Sequence, residues 1–167
     1  MERTRLVAWS WVGLQGVLLA LIVLLPFGDH WRVSTALEVV GRALEGVGLV
    51  LGIWGAMALG SGLTPSPLPN GRIGLVSRGP YRWVRHPIYT AVMAFMGGVV
   101  VLGGSWWPAV VWAFLVGVLF FKSQWEERHL VDAFPGYREY ATAVGRFLPR
   151  VSQSRSSGAR PPGGVWE

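Results

Sequence analysis

From Pro87 to Phe121 the chain runs for 35 residues without a charged side chain. As a single helix this stretch would measure about 50 Å, against a hydrocarbon core of about 30 Å. Gly103-Gly104-Ser105 interrupts it near the middle. The spacing therefore predicts a helical hairpin, Ile88 to Gly103 and Trp106 to Phe121. Each arm is roughly 24 Å long, short for a full span. Trp106 and Trp107 would anchor the bend at a membrane interface.

Two earlier stretches have the same character. Leu6 to Phe27 carries no charge over 22 residues, long enough to cross a bilayer. A signal peptide is the competing reading, and Pro26-Phe27-Gly28-Asp29 offers it no small-residue cleavage site. A second helix is expected over 35–60. Glu38, Arg42 and Glu45 share a face in its first turns, and Gly48, Gly52, Gly55, Ala56 and Gly60 supply small residues for close helix packing. Gly46-Val47-Gly48 is not a nucleotide-binding loop, because no strand precedes it. The expected fold is all-α: a polytopic membrane protein of about four transmembrane helices, with the short hairpin over 88–121 and a cytosolic C-terminal helix. One domain would cover 1–150, and 151–167 reads as a disordered tail.

Composition agrees. Hydrophobic residues make up 51% of the chain and charged ones 14%, with mean hydropathy +0.41; a soluble domain usually carries about 25% charged residues. The absence of cysteine excludes disulfides, thiolate metal sites and cysteine nucleophiles. The net charge of +6 would suggest nucleic acid in a soluble protein. Here it points to anionic membrane lipids and to orientation, and nucleic acid is excluded as a partner. Of the 15 basic residues, 13 fall on one side of a four-span arrangement, which places both termini and the long second loop in the cytosol.

Polar groups gather at two places, and a hairpin brings them to one side of the membrane. The first is Arg78 to Tyr89, at the entrance of the third span. Pro87 suits the first position of a helix and biases His86 toward extended backbone. His86 would then point off the helix end, toward water or a ligand. The arginines could equally contact lipid phosphates, with His86 capping the turn. The second place is Lys122 to Leu130, where the fourth helix continues into the cytosol. Lys122 and Glu126 are spaced for an ordinary surface ion pair. Glu126 also sits near the hydrocarbon boundary, where a carboxylate more often has a task. A short helix follows from Gly136-Tyr137 and ends near Gly145.

In order along the chain stand Leu75-Val76, Gly79-Pro80-Tyr81, Arg85-His86-Pro87-Ile88-Tyr89, the apolar hairpin and Glu126-Glu127-Arg128-His129-Leu130. Phe134, Tyr137, Tyr140 and Phe147-Leu148-Pro149 follow. This set, over about residues 64–149, resembles the isoprenylcysteine carboxyl methyltransferase family and the related phospholipid methyltransferases. The resemblance implies methyl transfer from S-adenosyl-L-methionine to a lipid or isoprenoid-like acceptor, of isoprenylcysteine carboxylate type. It implies cofactor contacts from Ile73, Gly74, Leu75, Val76, Tyr81, His86, Pro87, Ile88, Tyr89 and Glu126. It implies a catalytic set of Lys122, Glu126 and His86; no metal site is expected, because His129 reads as interfacial, His30 lies across the membrane and cysteine is absent. Lys122 stands where the family often has an arginine facing the acceptor carboxylate, so it keeps the charge without the bidentate fork. Residue chemistry alone leaves a carboxylate or an amine acceptor open. It also leaves open a membrane reductase using NADPH and a non-catalytic subunit that binds a partner through the glycine-rich second span. The oligomeric state is undetermined.

Overall fold

The computed structural model describes residues 2–25, 27–28, 30–64 and 74–150. The predicted tail 151–167 and most of the Pro-rich loop, Ile73 included, lie outside the described residues. The chain is all-helical: α1 (Glu2–Leu24), α2 (Thr35–Leu59), α3 (Pro87–Gly103), α4 (Trp106–Ala133) and α5 (Tyr137–Ala143). Among the described residues, three helices are long and apolar enough to cross a membrane, and α3 is a shorter apolar helix. The molecule is a polytopic membrane protein, with large apolar side chains such as Leu6, Leu24, Val50 and Met57 on its outer surface.

Lipid tails are as apolar as leucine, so helices in a bilayer gain little from hiding apolar side chains from one another. They gain from close backbone approach. The α2–α3 pair, the most extensive contact in the molecule, is built this way. A Cβ on Gly48 would lie 2.7 Å from the carbonyl oxygen of Ala91 and from the amide nitrogen of Phe95, and one on Gly98 would meet the carbonyl of Gly41. Gly52 and Gly55 face Ala91 and Ile88 along the same seam. Gly60 has another use: it caps α2 at positive φ and its amide donates to the carbonyl of Ala56.

The predicted hairpin is present, with α3 and α4 meeting at Gly104 in the left-handed region (φ 61°). The first loop seals this end. His30 and Trp31 amides donate to the Gly104 carbonyl at 3.0 and 3.3 Å, and the Trp31 ring sits edge-on to Trp106 at 5.0 Å. α4 has 28 residues, about 42 Å, so one end projects beyond a 30 Å hydrocarbon layer. α1 packs along α4, and Ile22, Val100, Leu115 and Leu119 form the buried cluster joining α1, α3 and α4.

Candidate functional site

The site forms where α3 begins and α4 ends. Pro87 occupies the first position of α3 and is fully buried. His86 precedes it with φ −124° and ψ 61°. Its side chain is largely buried, 7% exposed, and stacked on Tyr89 with centroids 5.3 Å apart and planes 6° from parallel. Its Nε2 lies 3.1 Å from Glu127 Oε1. The C-terminal segment is pinned beside it. Val84 and Gly145 form an isolated parallel bridge, and the amides of Arg85 and His86 donate to the carbonyls of Gly145 and Arg146 at 2.8 and 3.0 Å. Gly145 is required there, because a Cβ would collide with the carbonyl oxygen of Leu148.

Two adjacent carboxylates on α4 divide the work, because successive helical residues point about 100° apart. Glu127 faces the structural side. It accepts from Arg85 Nε at 2.9 Å and from Arg146 Nε and Nη2 at 3.1 and 2.7 Å, besides its contact with His86. Arg85 goes on to donate to the carbonyls of Ala141 and Val144. This cluster ties α4, the entrance of α3 and the end of the chain into one unit. Glu126 faces the other way, where its Oε2 accepts from the Tyr89 hydroxyl at 2.9 Å and lies 3.8 Å from His86 Nδ1.

Glu126 opens onto a cavity of about 680 Å³, within the size range of small-molecule sites. Its walls come from α1, the end of α2, the segment 74–76, Tyr81, the start of α3, α4 and α5. Glu126 is the single acidic residue among the described lining residues, beside the basic or titratable Arg85, His86 and Lys122. Lys122 is 3% exposed and does not form the surface ion pair its spacing suggests. Its Nζ crosses to α1 and donates to Gln15 Oε1 at 2.6 Å, 5.1 Å from the Tyr89 ring centroid.

Tyrosines complete the wall. Tyr140 donates to the Tyr81 carbonyl at 2.6 Å. The Tyr137 hydroxyl is buried with no hydrogen-bond partner among the described residues. Burial pushes all three phenols up, Tyr140 to about 12 and Tyr81 and Tyr137 further, with the Glu126 charge adding to the rise at Tyr81 and the Glu127 charge at Tyr137. They are neutral hydrogen-bond donors, unsuited to act as bases near neutral pH.

Of the residues singled out in the sequence, Gly74, Leu75, Val76, Tyr81, His86, Ile88, Tyr89, Lys122 and Glu126 line this one cavity. Pro87 is placed differently: it packs toward α2, near Gly55, and does not line it. Ile73 lies outside the described residues. Sequence reasoning missed Gln15, Tyr137 and Tyr140 on the wall, and the Glu127–Arg85–Arg146 cluster behind it. Gln15 had a signal, as a lone amide in an uncharged stretch. The ion cluster had none, because its members are brought together only by the fold. Among the described residues no group of three or more His, Asp or Glu side chains is placed to hold a metal ion.

A family profile described as phospholipid methyltransferase matches residues 37–136, well over half of the chain. An uncharacterized protein of Schizosaccharomyces pombe is 31% identical over 48% of this chain and 25% of its own length. The nickel-cobalt-cadmium resistance protein NccN of Alcaligenes xylosoxydans xylosoxydans is 29% identical over 93% of this chain and 70% of its own. The cobalt-zinc-cadmium resistance protein CzcN of Cupriavidus metallidurans is 33% identical over 48% of this chain and 38% of its own. The chain thus spans well under two thirds of the length of two of these three relatives. No solved structure matches it. The profile covers the α2–α3 pair, the hairpin and both polar clusters that meet at the cavity, and on that match the chain belongs to the phospholipid methyltransferase family, a family of membrane methyltransferases.

Proposed function

We propose that this chain transfers a methyl group from S-adenosyl-L-methionine to a carboxylate of a lipid-like acceptor, of isoprenylcysteine type, at the membrane surface. The observation that carries the reading is one cavity lined by both Glu126 and Lys122, one turn apart on α4. The cavity suits the methyl donor. Glu126, the one carboxylate among the described lining residues, can pair with a cationic group. Tyr81, Tyr89, Leu130 and Phe134 offer aromatic and apolar surface to a purine. The Tyr137 hydroxyl, which meets no partner among the described residues, is a donor open to a polar group of the cofactor.

The bound cofactor supplies an activated methyl group on a sulfonium sulfur. The chain's own task is alignment and exclusion of water, because methyl transfer is an in-line displacement in which charge is lost. Tyr89 holds Glu126 in one rotamer, and His86 stacks behind Tyr89 and is itself fixed by Glu127. Pro87 and the bridge to Gly145 fix the backbone from which both rings project. Lys122 supplies a buried positive charge for the acceptor. A carboxylate is already ionised near neutral pH and needs no base. An amine acceptor must lose a proton, and the raised pKa values of Tyr81, Tyr137 and Tyr140 make those phenols poor receivers.

S-Adenosylhomocysteine binding to detergent-purified protein tests the reading. Wild type should bind in the micromolar range, and Glu126→Gln and His86→Ala should each weaken binding by about tenfold or more, the scale of a lost charged contact. Absence of binding by folded wild-type protein would sink the proposal.

A further inference from the structure

α1 lies wholly outside the stretch matched by the family profile, yet Val12, Gln15, Gly16 and Leu19 of α1 line the cavity. Gln15 is the only one of the four with a polar side chain. Besides Ser10 it is the one hydrogen-bonding side chain other than tryptophan between Leu6 and Phe27. The Ser10 hydroxyl donates within its own helix, to the Val7 carbonyl at 2.8 Å. Gln15 reaches across to α4 instead, where its Oε1 accepts from Lys122 Nζ. The amide N–H2 on the other arm of the same planar group has no acceptor among the described residues. Lys122 has three N–H donors. One goes to Gln15, and the ammonium lies over the Tyr89 ring. No carboxylate among the described residues forms an ion pair with it; Glu126, one turn on, is engaged by Tyr89. The two side chains therefore offer the cavity N–H donors and one positive charge, while the one acceptor of the pair, Gln15 Oε1, is turned toward Lys122.

We propose that Gln15 is a specificity-determining residue: together with Lys122 it forms a donor-only receptor for the anionic headgroup of the methyl acceptor. This rests on the methyl-transfer reading above. One carboxylate oxygen of the acceptor takes the N–H donors. The other forms the new O–CH3 bond as the S–CH3 bond of the donor breaks. The negative charge of the acceptor and the positive charge of the sulfonium disappear together, and no proton moves. The ester product is neutral, so it loses its attraction to Lys122 and leaves. An ammonium headgroup would set positive charge against positive charge and donors against donors.

Two amphiphiles with the same farnesyl tail, one ending in a carboxylate and the other in a primary amine, test this by equilibrium binding to protein loaded with S-adenosylhomocysteine. Wild type is expected to prefer the carboxylate. Gln15→Met keeps the length of the side chain and removes the amide. It should weaken carboxylate binding about tenfold, the scale of a hydrogen bond to a charged group, and leave amine binding unchanged. Gln15→Glu places a carboxylate on Lys122 and should abolish the preference. Both variants should keep the wild-type affinity for S-adenosylhomocysteine, which also reports that they fold. Equal carboxylate binding by wild type and Gln15→Met overturns the proposal, as does a wild type that does not prefer the carboxylate. A loss confined to S-adenosylhomocysteine would assign the pair to the methyl donor and overturn it equally. A wild type that binds no S-adenosylhomocysteine defeats the methyl-transfer reading before either amphiphile is added, and the Gln15 receptor falls with it.

Discussion

Tyr137 buries a hydroxyl that no described residue meets, at 2% exposure. A buried unsatisfied donor costs about 1–3 kcal/mol. Removing it should therefore relieve the ligand-free protein. Tyr137→Phe is expected to hold or raise the melting temperature without ligand, and to reduce the further rise that S-adenosylhomocysteine produces. A lower ligand-free melting temperature, or an unchanged ligand shift, would contradict this. Glu127 is the opposite case, since it satisfies two arginines and a histidine at once. Glu127→Ala leaves Arg85 and Arg146 without their carboxylate and should cost about 3–5 kcal/mol, read as an early melt in detergent. Glu126 was legible in the sequence because a carboxylate beside a 35-residue uncharged run stands out. Glu127 looked like its twin. A turn of about 100° between them, and the partners waiting at each side, separate a group that faces the cavity from one that holds the wall.

At the level of elements, the α2–α3 seam depends on missing side chains. Gly48 sits where a Cβ would press on the backbone of Ala91 and Phe95, whereas Gly46 has open space around it. Gly48→Ala should force the helices apart and destabilise by about 1–3 kcal/mol, as overpacking does. Gly46→Ala, with the same change in composition, should be neutral or mildly stabilising, since alanine favours helix over glycine by up to about 1 kcal/mol. Thermal melts of the two variants side by side check the contrast. Both the stripe of small residues and the hairpin break were readable, because spacing and glycine content are local properties. The partner of the stripe was not. Nothing in α2 alone says that α3, rather than α1 or a second chain, would fill it.

For the whole molecule, orientation is the open consequence of the charge asymmetry, and we propose that the α3–α4 bend lies on the non-cytosolic side. The cysteine-free chain makes this measurable with single cysteines. In intact cells a membrane-impermeant maleimide should label Trp107→Cys, at an exposed position beside the bend. It should label Arg150→Cys, past α5, only after permeabilisation. The reverse pattern would invert the topology and put the cavity on the outer face.

The sequence by itself determined that the chain is a membrane-embedded helical protein with a hairpin, and that polar groups gather at one end of it. Those are consequences of hydropathy, helix length and glycine breaks, each settled within some 20 residues of chain. The tertiary structure alone decided that α1 lies along α4 and brings Gln15 to Lys122, and that Glu127 gathers Arg85, His86 and Arg146. Helices in lipid are not sorted by hydrophobicity, because every face is apolar. Their neighbours are chosen by backbone fit and by a few buried polar bonds between residues up to 107 positions apart.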